Sequence, residues 1–154
     1  MRRKERKITD IKIIESILVS ADVCRVAFAD NNVPYIVTMN YGYTTGKNNI
    51  LYFHSAPEGR KIELIGKNNF VCFQIDTDHI LYKGSKACAW GMKYKSIVGY
   101  GLLSIADTEA ERRRALDLIM NHYGAKGMLD YDAKELARTT ILRLDISEMT
   151  GKQA

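Results

Sequence analysis

Ile50-Leu51-Tyr52-Phe53-His54-Ser55-Ala56-Pro57-Glu58-Gly59-Arg60-Lys61 reads as a strand running into a helix. Residues 50–54 are mostly apolar and aromatic, the composition that suits a buried, pleated surface. The period then changes. Ser55 stands where an N-cap belongs, Pro57 falls in the first turn, and Glu58 lies three residues after the serine. That is the pattern of a capping box. Ile62 and Ile65 mark the buried face of a helix expected to end at Lys67, where Gly66 and Asn68-Asn69 stop it.

The same alternation of short strands and turn residues extends on both sides. Residues 23–29 and 34–41 are apolar runs separated by Asp30-Asn31-Asn32, a hairpin signal. Gly42, Gly46 and Asn48-Asn49 make a loop before the strand at 50–54. Residues 70–76 form the next strand, residues 77–94 read as irregular, and 96–106 is a strand interrupted by Gly99 and Gly101. Helices are predicted at 9–20, behind Thr9 or Asp10, and from Thr108-Glu109-Ala110-Glu111 to about Tyr123. A short helical piece at 132–138 precedes a last strand at 140–146. Strands dominate the first two thirds, and no regular strand–helix alternation appears. The expected class is mostly β (α+β), an antiparallel barrel with peripheral helices.

A chain of 154 residues fits one domain, 1–154. With 46% hydrophobic and 27% charged residues it can bury a core, which excludes the disordered class. No apolar run approaches the roughly 20 residues that span a bilayer, and the basic start Met1-Arg2-Arg3-Lys4-Glu5-Arg6-Lys7 is not followed by the apolar stretch of a secretory signal. Cys24, Cys72 and Cys88 are odd in number and widely spaced, as expected of reduced thiols in a cytoplasmic protein. They make no CxxC, and His54, His79 and His122 lack metal-ligand spacing, so no metal site is expected. A net charge of +5 favours an anionic partner. Its two basic blocks, residues 2–7 and Arg112-Arg113-Arg114, are not interleaved with aromatics and read first as a solvated arm and a solvated helix face. Neither nucleic acid nor a membrane is expected as a partner.

Chemistry gathers at the strand-to-helix junction. The first N–H groups of a helix lack intrahelical partners and carry the positive end of its dipole, so they attract anions. Lys61 can reach back over that first turn, Arg60 lies about 100° around the helix, and Gly59 leaves the approach open. Glu58 would repel a phosphate there and is expected to fold back onto the Ser55 N–H. An ordinary capped surface helix is the plain alternative. His54 reads either as a hydrogen-bonded, partly buried histidine or as a side chain beside a bound ligand. Trp90, in Cys88-Ala89-Trp90-Gly91, has three readings: a core plug, a ligand cover or an interface anchor. Nucleophile motifs, the dinucleotide Gly pattern and the P-loop are absent.

Taken in order, several segments resemble one family. They are Met1-Arg2-Arg3-Lys4, Pro34-Tyr35-Ile36-Val37-Thr38-Met39-Asn40-Tyr41-Gly42-Tyr43, Leu51-Tyr52-Phe53-His54-Ser55-Ala56, Gly59-Arg60-Lys61, Tyr94-Lys95-Ser96-Ile97-Val98-Gly99-Tyr100-Gly101 and Thr150-Gly151-Lys152. The chain resembles the pyridoxamine-phosphate-oxidase-like FMN-binding split barrels, and within them the nitroimidazole-resistance flavoproteins. The resemblance implies a six-stranded split β-barrel that works as a homodimer with FMN in clefts between the subunits. It implies that Val37, Thr38, Met39 and Asn40 run along the isoalloxazine ring. It places the phosphate at His54, Ser55, Arg60 and Lys61, with Ser96 and Trp90 completing the site from the partner subunit. The C-terminal segment that recognises pyridoxamine phosphate in the oxidases has no match here, so that oxidation is not expected.

The expected activity is therefore that of an FMN-dependent oxidoreductase. It would take electrons from NAD(P)H or another donor and pass them to a nitroaromatic or quinone, with His54 as the one nominated proton donor. The alternative is a non-catalytic split barrel holding flavin, a deazaflavin or haem, the last with His54 or His79 as axial ligand.

Overall fold

Every strand pairing in the sheet is antiparallel, and the sheet runs in the order β3-β2-β6-β7-β8-β5-β4. The computed structural model describes residues 3–44 and 49–154. The elements are β1 (Lys7–Ile8), α1 (Ile11–Ser20), β2 (Cys24–Asp30), β3 (Val33–Met39), β4 (Gly42–Thr44), β5 (Ile50–Ser55), α2 (Arg60–Lys67), β6 (Phe70–Tyr82), β7 (Gly91–Ile105), α3 (Glu109–His122), α4 (Ala133–Arg138) and β8 (Thr140–Gln153). Six long strands carry the sheet, and β1 and β4 are short additions. β3 and β4 are neighbours in the chain yet stand at opposite ends of the strand order. The sheet curls without closing between them, so the expected split barrel is what forms.

Alternation places the core. Val26 and Phe28 on β2, Phe73 and Ile75 on β6, Ile97 and Leu103 on β7, and Leu142 and Leu144 on β8 are essentially inaccessible. From α1, Ile14, Ile17 and Leu18 join the same cluster. Each such Ile or Leu contributes roughly 1.5–3 kcal/mol. β5 is buried on both faces: Leu51 and Phe53 belong to this core, while Ile50 and Tyr52 pack under α3 with Ala115 and Ile141. This is why its sequence is a continuous apolar run. Tyr41 is fully buried where the chain leaves β3, and its hydroxyl lies 2.7 Å from the Leu18 carbonyl, to which it donates.

The hairpin of β2 and β3 turns at Asn31-Asn32, both at positive φ (49° and 64°), with Asp30 opposite Val33. That geometry is the two-residue turn that Asn accommodates. α1 is capped by Asp10, whose carboxylate accepts from the Lys12 N–H at 2.8 Å, and α4 by Asp132.

Four expectations need correction. Ser55 does not cap α2. It stays in the ladder opposite Thr140, its hydroxyl donates to the Ala56 carbonyl, and the helix begins at Arg60 behind Gly59. Ladder pairing at Ser55 outcompetes the local capping pattern. At the second box, Thr108 does accept from the Glu111 N–H, but the Glu111 carboxylate turns inward to Tyr52 and Arg143 rather than back to the cap. Residues 77–94 are not mainly irregular: β6 and β7 continue as a long hairpin with a 3-10 turn at Ala87–Ala89. The last strand extends to Gln153, past a register shift opposite Tyr100/Gly101 that breaks its alternation. The loop expected between β4 and β5 lies largely outside the described residues.

Candidate functional site

α2 follows β5 after a short loop, and the junction carries the first group of expected site residues. Gly59 takes φ 117° and ψ 172°, a conformation that residues with a Cβ avoid. A Cβ added there would meet no atom within 4 Å, so the space in front of the helix start is open. Arg60 and Lys61 occupy the first turn, where backbone N–H groups lack intrahelical partners. The Arg60 guanidinium sits over the Tyr35 ring of β3, and Lys61 is half-buried. His54 is exposed one residue before the end of β5, opposite Ile141, so the partly buried reading does not hold. Ser55, its neighbour, is buried.

The second group lies on β3. Val37 and Met39 point toward the core, and Thr38 and Asn40 are exposed. Thr38 stands opposite Arg25 of β2, and Arg25 opposite Gln74 of β6, on the outer face of the sheet. The Arg60–Tyr35 contact links this strand to the helix start. Arg60 joins the two groups through Tyr35, while His54 and Ser55 close β5 and Val37 to Asn40 lie where β3 ends.

Ser96 and Trp90 do not join them within the protomer. Ser96 sits on β7, three strands and therefore about 14 Å across the sheet from β3. Trp90 lies roughly 20 Å further along the hairpin from Ser96. It is 50% exposed, so it is no core plug. Its Nε1–H donates to the Gly84 carbonyl at 2.9 Å, and Lys83 stands over its ring.

One cluster was not anticipated. Arg25, Gln74, Asp76, His79, Tyr94 and Ser96 line a cleft of about 510 Å³. One oxygen of Asp76 accepts from Arg25 at 2.6 Å and from Gln74 at 2.7 Å, and the other lies 2.7 Å from His79 Nε2. Among the described residues Ser96 and Ser55 are the buried polar side chains, one in this cleft and one at the helix junction. The one available hint in the sequence was Arg25, a charge inside an otherwise apolar strand.

A profile of the family described as pyridoxamine 5'-phosphate oxidase matches residues 10–153. This chain belongs to that family. Among solved structures, this pyridoxamine 5'-phosphate oxidase-family chain is similar to a candidate 5-nitroimidazole antibiotic resistance protein from Bacteroides thetaiotaomicron, at 36% identity over 96% of this chain and 86% of that one, with a TM-score of 0.83. A FAD-binding protein from Mesorhizobium loti matches at 25% identity over 97% of each chain, with a TM-score of 0.69. The flavocytochrome Anf3 from Azotobacter vinelandii shares the fold, at 18% identity over 100% of this chain and 72% of that one, with a TM-score of 0.83. No curated protein matches significantly.

The residues of this family member fit an elongated, phosphorylated cofactor. Two cations and first-turn amides face an approach kept open by Gly59, and an exposed strand edge leads away from them. No helix among the described residues is long and apolar enough to cross a membrane. No group of three or more His, Cys, Asp or Glu among them is placed to hold a metal ion.

Proposed function

We propose that this protein is a cytoplasmic, homodimeric FMN-dependent oxidoreductase that passes electrons from NAD(P)H to a nitroaromatic or quinone acceptor. The observation that carries the reading is the pairing of Arg60 and Lys61 at an open helix start with an exposed β3 edge, linked by the Arg60–Tyr35 contact. FMN, when bound, supplies the hydride and electron chemistry; the protein supplies binding and orientation.

Lys61 neutralises phosphate as a point charge, and Arg60 adds a second cation held in place by its aromatic partner. The α2 amides complete that end. The backbone of Val37 to Asn40 lies along the ring, with the Thr38 and Asn40 side chains available at its margin. His54, exposed beside the phosphate end, is available for a hydrogen bond or a proton.

A second copy supplies Ser96 and Trp90, which one protomer holds too far from Lys61. The outer face of β3, β2, β6 and β7 suits that role. Ile36, Phe70, Tyr100 and Leu102 stand exposed there at 63, 51, 39 and 49%, with Phe70 stacked on Tyr100. Such a patch is unusual on a monomer surface and fits self-association.

The test is a visible spectrum of the purified protein followed by anaerobic addition of NADH or NADPH. Flavin absorbance that bleaches supports the reading. Bound flavin that no nicotinamide reduces removes the donor assignment, and absence of flavin removes the reading itself.

A further inference from the structure

We propose that Asp76 and His79 form a proton-donating pair that serves the electron acceptor in the cleft between β2, β6 and β7. The inference rests on the flavin reading above and adds to it the group that protonates the acceptor.

The backbone is shaped to bring these two side chains together. In an unbroken strand, residues three apart point to opposite faces. Here the β6–β7 register moves from Thr77↔Lys95 to Ile80↔Lys93, so Asp78 and His79 together oppose Tyr94. Asp78 takes φ 58°, a left-handed conformation uncommon for a residue with a Cβ. This bulge reverses the parity of the strand and brings His79 Nε2 within 2.7 Å of Asp76. Bulges recur beside active sites because they re-aim a side chain in this way.

The surrounding charges hold Asp76 and leave His79 to act. Arg25 from β2 and Gln74 from β6 occupy one carboxylate oxygen, so the other is fixed for the imidazole. Lys95 from β7 pairs with Asp78 at 2.9 Å, which keeps that second carboxylate from His79. Tyr94, also from β7, is the remaining titratable group facing the cleft, and the Lys152 ammonium of β8 stands over its ring. The His79 side chain is 50% exposed, so water can reload it. Ser96, which the proposed dimer brings to the cofactor held by the other protomer, lines this same cleft, so His79 reaches the acceptor together with Ser96.

With Nε2–H donating to Asp76, the proton that can leave is on Nδ1. The balance for a quinone is simple. The reduced nicotinamide named as donor would give up a hydride, two electrons and one proton, and the bound cofactor would supply the chemistry that delivers them to the quinone. The second proton comes from His79: its Nδ1–H bond breaks and an O–H bond forms on the acceptor oxygen. Hydroquinone leaves, neutral imidazole stays on Asp76, and water returns the proton. Asp76 and Arg25 act through His79 and are positioning residues.

The experiment uses His79→Gln with two acceptors, a benzoquinone and ferricyanide, the second of which takes electrons without a proton. General acid catalysis is worth about 10²–10⁴-fold. The expected result is unchanged flavin content, a loss of roughly 100-fold in kcat for quinone, and an unchanged ferricyanide rate. Equal losses for both acceptors, no loss for either, or loss of flavin would overturn the proposal. A separate readout needs no cofactor: nitrogen-15 NMR of the flavin-free protein should show His79 as the Nε2–H tautomer in its neutral form, and Asp76→Ala should abolish that preference. A wild-type His79 with mixed tautomers overturns the pair. Wild-type protein that never binds flavin instead sinks the parent reading, while the tautomer result still judges the pair.

Discussion

The Arg60 guanidinium lies 4.7 Å from the centre of the Tyr35 ring, so the start of α2 and the first half of β3 touch across the open side of the barrel. Those segments are 25 residues apart in number and belong to no common strand pair. A cation over an aromatic face contributes about 0.5–1 kcal/mol at an exposed position. Tyr35→Leu should therefore cost little stability yet loosen the orientation of Arg60. The expected outcome is a fall in flavin affinity larger than the fall in Tm, measured by fluorescence titration beside a thermal scan.

Lys61→Ala removes the more enclosed of the two cations. A charge-assisted contact to phosphate is worth roughly 1.5–3 kcal/mol, so FMN affinity should fall by about ten- to 150-fold. The side chain supports no element of the core, so circular dichroism and Tm should stay near wild type. Retained flavin after extensive dialysis would place the phosphate elsewhere.

Gly59→Ala separates strain from collision. Its φ of 117° disfavours any Cβ, while the added carbon meets no protein atom within 4 Å. The penalty should be conformational, about 1–3 kcal/mol. For a chain of this size that is a fall in Tm of several degrees, roughly 2–4 °C per kcal/mol. The same carbon would intrude on the cofactor's approach, so affinity for FMN should drop as well. Unchanged stability would mean that the loop before α2 relaxes freely.

Much of the barrel was legible because its signals are local. Asn31-Asn32 named its own turn, Thr108 its own cap, and the apolar run at 50–53 its own buried strand. Ser55 misled because Ser-x-x-Glu is a local pattern, whereas the residue's fate was decided by a non-local one, its ladder partner Thr140. The bulge at Asp78–His79 and the register shift near Ser147 break period two, so residues 77–94 and the end of β8 carried no readable strand signal. The open helix start proposed for the phosphate was visible through Gly59-Arg60-Lys61. The Asp76–His79 pair was not, since spacing by three in a strand predicts separation.

Alkaline pH should unfold the protein through its buried weak acids. Burial pushes the Cys24 thiol and the Tyr41 hydroxyl well above their ordinary values of 9.0 and 10.0, and Tyr131 is pushed up to about 12, by burial first and then by its bond to Asp117. The sign follows from linkage. Above pH 9 the unfolded chain releases the thiol proton that the folded chain retains, so the unfolded state binds fewer protons and stability falls as pH rises. The two more deeply buried groups, Cys24 and Tyr41, each contribute a slope of at most about 1.4 kcal/mol per pH unit between their two values, and Tyr131, nearer solvent, contributes less. Stability from these groups is fully present below pH 9 and declines above it. Urea melts from pH 8 to 11 should show the decline, and Cys24→Ala should delay its onset toward the phenol range. A flat profile would mean these groups stay protonated in the unfolded chain as well.

The outer sheet face makes the last prediction. Leu102 is 49% exposed beside Phe70, its cross-strand partner, and Phe70 stacks on Tyr100 with ring centres 6.0 Å apart. Substituting Leu102 with lysine disturbs no buried contact within the protomer, so intrinsic stability should change by only about 0.5 kcal/mol. Placed in an interface between two copies, the same charge would be desolvated without a partner and would cost several times more. Light scattering should therefore show Leu102→Lys as a folded monomer where wild type is a dimer. Flavin occupancy should fall with it, because Ser96 and Trp90 then have no second protomer from which to reach the cofactor. A Leu102→Lys dimer with full flavin would move the interface to another face, and a monomeric wild type that holds flavin would mean that one chain builds the whole site.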